Sequence, residues 1–209
     1  MTTRALASFV AGAALAASAP LAASTPPPVQ TFGDDVAFLK THNRVVVLAD
    51  PRTGARLAVC PDLQGRVMTS SARGDAGPSF GWVNRPLLAS HVADPHFNPY
   101  GGEDRLWLGP EGSQFSIFFR AGDPFDLAHW QTPAFIDTER WPVAAQDARS
   151  VRFTRSVQLT NRSGTRFDLT VDRTIRLTYS SAVLTRTLLS WFTRASNHQP
   201  SSSRTSTWS

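Results

Sequence analysis

The sequence predicts an all-β domain built from antiparallel strands. The strongest support is a pair of long segments, 151–160 and 167–177, in which apolar and polar residues alternate. Between them lies Asn161-Arg162-Ser163-Gly164, a turn-forming sequence. An earlier pair of apolar segments, 45–49 and 56–60, flanks a turn that contains proline and glycine. We therefore expect two antiparallel hairpins, the second belonging to a large twisted sheet.

Three further segments have less decisive patterns. Residues 65–70 predict another strand, because β-branched and apolar residues follow a glycine. Residues 32–40 fit either a short helix or a strand, with Asp34 or Asp35 as a candidate helix cap. Residues 82–91 likewise fit a strand or a short helix.

The middle of the chain combines long loops with a predicted turn. The apolar segments 106–108 and 115–119 flank a Gly-Pro-Glu-Gly sequence, which is a strong turn signal. We expect segment 94–112 to form a loop, a strand at 106–108 and this turn. Residues 94–102 and 122–133 contain prolines and glycines and are predicted to be loops.

Two arginines interrupt the alternation of the long strands. Arg155 and Arg173 both occupy positions at which the pattern places apolar side chains. A charge there must reach solvent, pair with a carboxylate or line a polar cavity. The sequence leaves two interpretations open: a strand end or structural ion pair, and a ligand-lining role.

The N-terminus has the pattern of a secretory signal peptide, assigned to residues 1–24. A positive charge at Arg4 precedes an apolar, alanine-rich run that ends in small residues. The alternatives are an N-terminal anchor helix or a disordered alanine-rich tail. No later segment is long and apolar enough to cross a membrane. The expected location of the mature protein is therefore the periplasm or the extracellular medium.

The rest of the chain divides into a linker, a domain and a tail. Residues 25–31 contain three consecutive prolines and predict a stiff linker. The β-rich domain is assigned to residues 32–190, and the polar, aperiodic residues 191–209 predict a disordered tail. No acidic residue follows Asp172. We expect a domain truncated at its C-terminus, with an aberrant tail in place of its closing strands.

Composition limits the chemistry that the domain can perform. The single cysteine, Cys60, cannot form an intrachain disulfide, and its apolar neighbours indicate a core residue rather than a nucleophile. Of the 21 basic residues, Arg4 lies in the signal peptide, and Arg194 and Arg204 lie in the tail. The body of the chain therefore contains 18 basic and 16 acidic residues. This balance, without a basic run, gives no indication of nucleic-acid binding.

The residue types suited to chemistry concentrate in segment 94–112, with a second concentration in 122–133. Tryptophan and tyrosine rings suit the C–H face of a sugar, whereas carboxylates and arginine bind hydroxyl groups. Both segments are candidates for the lining of one cleft, and the alternative is that their polar groups satisfy the loops' own backbone. The candidate residues are His96, Asn98, Tyr100, Glu103, Asp104, Arg105, Trp107, Glu111, His129 and Trp130.

Other site chemistries match the sequence less well. The chain contains no helical zinc motif, nucleophile elbow, phosphate loop or dinucleotide fingerprint. A metal site formed by Asp94, His96 and Glu103 is a minor alternative. We therefore predict neither a metal nor another cofactor.

Three sequence stretches resemble an uncharacterised secreted bacterial family, a domain of unknown function. They are Gly65-Arg66-Val67-Met68, residues 98–112 and residues 123–134, and the similarity covers roughly residues 32–187. That family is similar to the galactose mutarotase-like, or aldose 1-epimerase-like, superfamily. This second link depends on the early Gly-Arg strand and on a Gly-Gly-x-x-Arg-x-Trp-like turn.

The resemblance implies an antiparallel β-supersandwich with a sugar-sized cleft. In mutarotases a histidine protonates the ring oxygen while a glutamate deprotonates the anomeric hydroxyl. Carried over to this chain, the resemblance makes His96 the first candidate acid and His129 the second. The family's glutamate lies near the end of the domain, so Glu103 or Glu111 has to take its place. The other candidates, Arg155 and Arg173 included, would bind substrate.

Three hypotheses on function follow. The first is an exported carbohydrate-active protein that epimerises a sugar at its anomeric centre. The second is a non-catalytic glycan-binding or interaction module on the same scaffold, because a fold does not fix a function. The third is an inactive truncated product. The expected partner is a sugar or glycan, and the sequence does not indicate an oligomeric state.

Overall fold

The computed structural model describes residues 30–178, together with the backbone of strands over 183–194 and 203–208. The predicted signal peptide and nearly all of the predicted linker lie outside the described residues. The elements are α1 Phe32–His42, β1 Val46–Ala49, β2 Arg56–Cys60, β3 Arg66–Ser71, α2 Arg85–Ser90, β4 Val143–Gln146, β5 Ser150–Thr160, β6 Arg166–Leu177, β7 Val183–Arg194 and β8 Ser203–Trp208. Short 3₁₀ turns cover Pro61–Leu63 and Ala134–Ile136.

The strands form two antiparallel sheets, which confirms the all-β prediction. The first sheet has three strands in the order β1-β2-β3, and the second has five in the order β4-β5-β6-β7-β8. Within each sheet, every strand therefore pairs with its neighbours in sequence. Both predicted hairpins are present: β1 pairs with β2, and β5 pairs with β6 over the whole stretch from Ser150 to Thr160.

The two sheets pack through one shared apolar core, as in a β-sandwich. Alternation puts every second side chain on the core face, so Val151 and Phe153 of β5 and Val171 and Ile175 of β6 are fully buried. They belong to the same cluster as five residues of the small sheet: Val46, Leu48, Leu57, Val59 and Val67. Cys60 is also buried, as predicted.

The two undecided segments both contain helices. Thr31 is the N-cap of α1: its hydroxyl accepts a hydrogen bond from the backbone N–H of Asp34, whose carboxylate accepts one from the backbone N–H of Thr31. The expectation that Asp34 or Asp35 is the cap was wrong, because Asp34 is the third helical residue of this capping box. In α2, Asn84 caps the backbone N–H of Leu87.

The strand predicted at 106–108 was wrong, because this segment is irregular, as is the apolar segment 115–119. Their backbone groups bond to side chains instead of a strand ladder. The backbone N–H of Leu106 donates to Gln64, at 3.2 Å, and the backbone N–H groups of Phe115 and Phe118 donate to the hydroxyls of Ser113 and Ser116. Most of the apolar side chains, Leu106 and Phe118 among them, are nevertheless packed in the core, whereas Phe115 is exposed. This packing explains the apolar pattern.

The C-terminal region extends the large sheet. The backbone of β7 pairs with β6 from Val183 to Arg194, and β8 pairs with β7. Residues 195–202 and 209 lie outside the described part of the chain, so the disordered tail and the truncated domain stay predictions. Within the described residues, no helix has the length and apolar character that a membrane crossing requires.

Candidate functional site

The two loop segments rich in polar and aromatic residues lie side by side, as the sequence predicts for a shared cleft. The backbone N–H of Thr132 donates to the carbonyl oxygen of His96, at 2.9 Å. The His96 side chain reaches the same segment, with Nδ1 2.5 Å from the carbonyl oxygen of Trp130. Segment 94–112 is thereby joined to segment 122–133 by backbone and side-chain contacts.

A cavity of about 580 Å³ opens between these segments. Such a volume lies within the range of small-molecule sites in proteins. Four of the predicted site residues line it, together with three others that the sequence analysis did not assign as binding residues. The lining residues are His96, Trp107, Glu111, Trp130, Asp94, Phe97 and Leu127.

Aromatic rings form the wall of the cavity. The Trp107 ring lies 5.1 Å from that of Phe118, which stacks on Trp130 at 4.5 Å between centroids. Phe97 packs edge-on against Trp107, at 6.2 Å, and remains 40% exposed. This stack connects the cavity wall to the shared core, to which Phe118 belongs, so we expect the wall to be rigid.

His96 is held in one tautomer. Because the Trp130 carbonyl oxygen can only accept a hydrogen bond, Nδ1 of His96 must carry the proton that joins them. In the neutral imidazole, Nε2 is then the atom with a free lone pair. The backbone of His96 is fixed as well, since its N–H donates to Asp94 at 2.7 Å.

Two carboxylates complete the polar lining. Asp94 accepts from the backbone N–H groups of His96 and Phe97, and these hydrogen bonds lower the pKa of the Asp94 carboxyl. Glu111 accepts from the indole N–H of Trp107, at 2.8 Å. Each carboxylate uses one oxygen in these bonds, and its second oxygen accepts none from the described part of the chain.

Asp137, which the sequence analysis did not identify, supports the site from below. Its carboxylate is buried and accepts from the backbone N–H and the side-chain amide of Asn98, at 3.0 and 2.8 Å. Asn98 in turn bonds to the backbone of Asp94 through both its oxygen and its nitrogen. Asn98 is therefore a positioning residue rather than a cavity-lining one.

The same carboxylate lies beside two arginines, Arg66, which is buried, and Arg105, which is partly buried. Arg66 and Arg105 each place an Nη2 atom within 4 Å of Asp137, at 3.7 and 3.6 Å. Burial, followed by the charge of Arg105, lowers the pKa of Arg66 to about 10. The Arg105 guanidinium lies 4.2 Å from the centre of the Trp107 ring, so it contacts the cavity wall without lining the cavity.

Three other predicted residues lie outside the cavity lining. The carboxylate of Glu103 bonds to the backbone N–H of Ser70, at 2.6 Å, and to the Ser70 hydroxyl. Tyr100 is buried in a second apolar cluster, and this burial raises the pKa of its hydroxyl. His129 pairs with Asp126 at 2.6 Å on its own loop.

Both arginines that interrupt the alternation form ion pairs, which is one of the two interpretations that the sequence left open. Arg155 pairs with Glu139. Arg173 is 2% exposed and pairs with Asp104 at 2.6 Å, joining β6 to the loop beneath the site. Burial lowers the pKa of Arg173, whereas the Asp104 charge acts in the opposite direction. Neither arginine lines the cavity.

A close backbone approach explains the paired glycines of segment 94–112. Gly101 and Gly102 have φ angles of +89° and +105°, a region that residues with a side chain rarely adopt. A Cβ atom on Gly101 would collide with the carbonyl oxygen of Trp82.

Among the described residues, no group of three histidine, cysteine or acidic side chains is arranged to hold a metal ion.

These features define an all-β protein of two packed sheets, with an aromatic cavity that carries two carboxylates and a histidine. The chain belongs to a family of unknown function, DUF6786, whose match covers residues 30–195. The predicted membership of an uncharacterised family is thereby confirmed, and its predicted relation to the mutarotase-like superfamily stays a prediction. Searches of curated proteins and of solved structures gave no match.

Proposed function

We propose that this chain is an exported carbohydrate-binding protein that holds a sugar ring, or the end of a glycan, in the aromatic cavity. The observation that carries the proposal is the composition of the cavity lining. Aromatic rings and hydrogen-bonding groups from two separate loop segments meet around one space of about 580 Å³. Binding pockets for small polar ligands combine these same two elements.

The lining matches the two kinds of surface on a sugar. Phe97, Trp107 and Trp130 offer apolar contact to the C–H face of the ring. The open oxygens of Asp94 and Glu111 can accept hydrogen bonds from hydroxyl groups, and such charge-assisted bonds are the stronger kind. Because Asp94 and Glu111 are themselves fixed by bonds to the protein, little ordering is needed when a ligand binds.

A direct binding experiment tests this proposal. Calorimetric titration of the purified chain with aldoses and short oligosaccharides should detect saturable binding to one site. Phe97→Ala should weaken binding about tenfold, because Phe97 lines the cavity. Phe80→Ala is the matched control, since Phe80 is also exposed, at 61%, but is not a cavity-lining residue. Failure of every sugar to bind would refute the proposal.

Acid–base chemistry at the anomeric centre is a second candidate function. The observation that favours it is that His96 and Glu111 line the same cavity, whereas Glu103 is bonded to Ser70. In the neutral tautomer described above, His96 can remove a proton through Nε2 but cannot supply one. Catalysis therefore requires either a protonated His96 or a proton supplied by the ligand itself. Binding requires neither, so binding is the first proposal.

Exchange between sugar anomers, followed by NMR, tests the catalytic candidate. We expect acceleration by the intact chain and its loss in both His96→Gln and Glu111→Gln. An unaccelerated exchange by a chain that still binds the sugar would leave binding as its function.

Export is tested separately: after expression in a bacterial host, the N-terminus of the protein recovered outside the cytoplasm should begin near residue 25.

A further inference from the structure

The cavity offers hydrogen-bond acceptors and negative charge, and this sets the class of sugar that fits it. The inference rests on the proposed carbohydrate site and adds the charge of its ligand. Three lining residues carry an acceptor that is not used in the hydrogen bonds described above: Asp94 and Glu111 through their second oxygens, and His96 through Nε2 in its neutral form. None of the described lining residues is a lysine or arginine.

We infer that the cavity prefers a sugar carrying a protonated amine to a neutral sugar, and discriminates against sugars carrying a carboxylate or phosphate. An ammonium group supplies three donors and a positive charge, which match two carboxylates and an imidazole acceptor. Hydroxyl groups supply donors without the charge. An anionic substituent would meet two like charges and no cation in the lining, and like charges at close range cost binding energy.

The nearest arginine does not reverse this preference. Arg105 is not a lining residue, although its guanidinium lies 4.2 Å from the Trp107 ring and 5.5 Å from the Phe97 ring. It donates to the carbonyl oxygen of Ile136 at 3.0 Å and lies 3.6 Å from Asp137, so its charge is directed at groups of the protein. Asp94 and Glu111 are the charged carboxylates of the lining.

The aromatic rings of the lining do not add to this preference. Aromatic rings attract cations through their negative faces, but Phe97 and Trp107 already lie near the Arg105 guanidinium, at 5.5 and 4.2 Å. The preference therefore depends on the two carboxylates, which are exposed and are screened by salt.

Four ligands with one ring skeleton test the inference by calorimetry. They are a hexose, its 2-amino-2-deoxy form, the N-acetyl derivative of that amine and the corresponding hexuronate, compared at low ionic strength with the amine protonated. We expect the amine to bind about tenfold more tightly than the parent hexose, and the hexuronate to bind most weakly. N-acetylation should remove the advantage of the amine, and added salt should reduce it.

Charge-neutralising variants assign the effect to the cavity. Glu111→Gln and Asp94→Asn keep the size of each side chain and an oxygen for its internal bond, so they should reduce the preference for the amine about threefold each while the parent hexose still binds. Asp75→Asn, at an exposed carboxylate that pairs with Arg56 outside the lining, should change nothing. A hexuronate that binds as tightly as the amine would overturn the inference but leave the carbohydrate site standing. Absence of binding by all four sugars would overturn the site itself.

Discussion

The two sheets and the loop region above them are stabilised by different interactions. The sheets are held by regular strand pairing and by apolar side chains such as Phe153 and Val171, which are fully buried. The loop region 91–133 has almost no strand pairing, and hydrogen bonds between side chains and backbone order it, together with buried charges around Asp137. This difference separates the scaffold from the site: a core substitution should change stability, whereas a cavity substitution should change binding.

The largest expected effect is in the shared core. Phe153→Ala removes a fully buried ring that contacts both Trp141 and the region of Gly65. We expect the free energy of unfolding to fall by about 3–5 kcal/mol, measured by urea denaturation. The ligand preference of any variant that remains folded should not change. A loss below about 1 kcal/mol would show that the two sheets do not share a tightly packed core.

Asp137 tests whether the loop region really depends on a buried charge. Asp137→Ala leaves Arg66 and Arg105 without their shared carboxylate and removes the acceptor for Asn98. We expect destabilisation of about 3 kcal/mol, because breaking a buried ion pair leaves an uncompensated charge. Asp75→Asn, at an exposed carboxylate, should stay within about 0.5 kcal/mol of the parent. Equal stability of the two variants would contradict the supporting role of Asp137.

Trp107 contributes a smaller effect that links the wall to the polar lining. Trp107→Phe keeps a ring in the wall but removes the indole N–H that bonds to Glu111 at 2.8 Å. We expect a stability loss of about 1 kcal/mol, typical of one hydrogen bond, and weaker sugar binding because Glu111 is no longer held in place. Stronger binding would show that this hydrogen bond competes with the ligand.

The smallest effect concerns the titration of Asp94. Hydrogen bonds from the backbone lower its pKa in the folded chain, so the carboxylate stabilises the fold above the unfolded pKa of about 3.9, and that contribution is lost as the pH falls through the folded pKa. NMR titration of the carboxyl carbon should therefore give a midpoint below about 3.9. A midpoint at or above that value would mean that the bonds to His96 and Phe97 are not formed.

The difference between the sheets and the loop region also explains which features could be predicted from the sequence. The β5–β6 hairpin was predictable because alternation is a local signal, and the two cavity segments were recognisable from their aromatic and acidic residues. Trp107 explains the wrong strand at 106–108, because an apolar run packs against the core in a loop as readily as in a strand. Nothing in the sequence showed that the backbone N–H of Leu106 would donate to the side chain of Gln64, 42 positions earlier, instead of to a neighbouring strand.

The charged residues that support the site could not be predicted from local sequence patterns. Asp137 acts on Asn98, which is 39 positions earlier in the chain, so no spacing rule connects them. Arg173 was recognised as anomalous because it broke the alternation, yet its partner Asp104 is 69 positions away. Strand β4 was missed because three of its four side chains are exposed, which leaves no apolar alternation to detect.

The most direct test of a sugar in the cavity uses the indole N–H signals of the tryptophans, observed by NMR during titration with the 2-amino sugar. Trp107 and Trp130 line the cavity, whereas Trp141 is fully buried and donates to the carbonyl oxygen of Phe135 at 2.8 Å. We predict saturable shifts of the Trp107 and Trp130 signals and none of the Trp141 signal. Unchanged Trp107 and Trp130 signals at saturating sugar would contradict the proposed site.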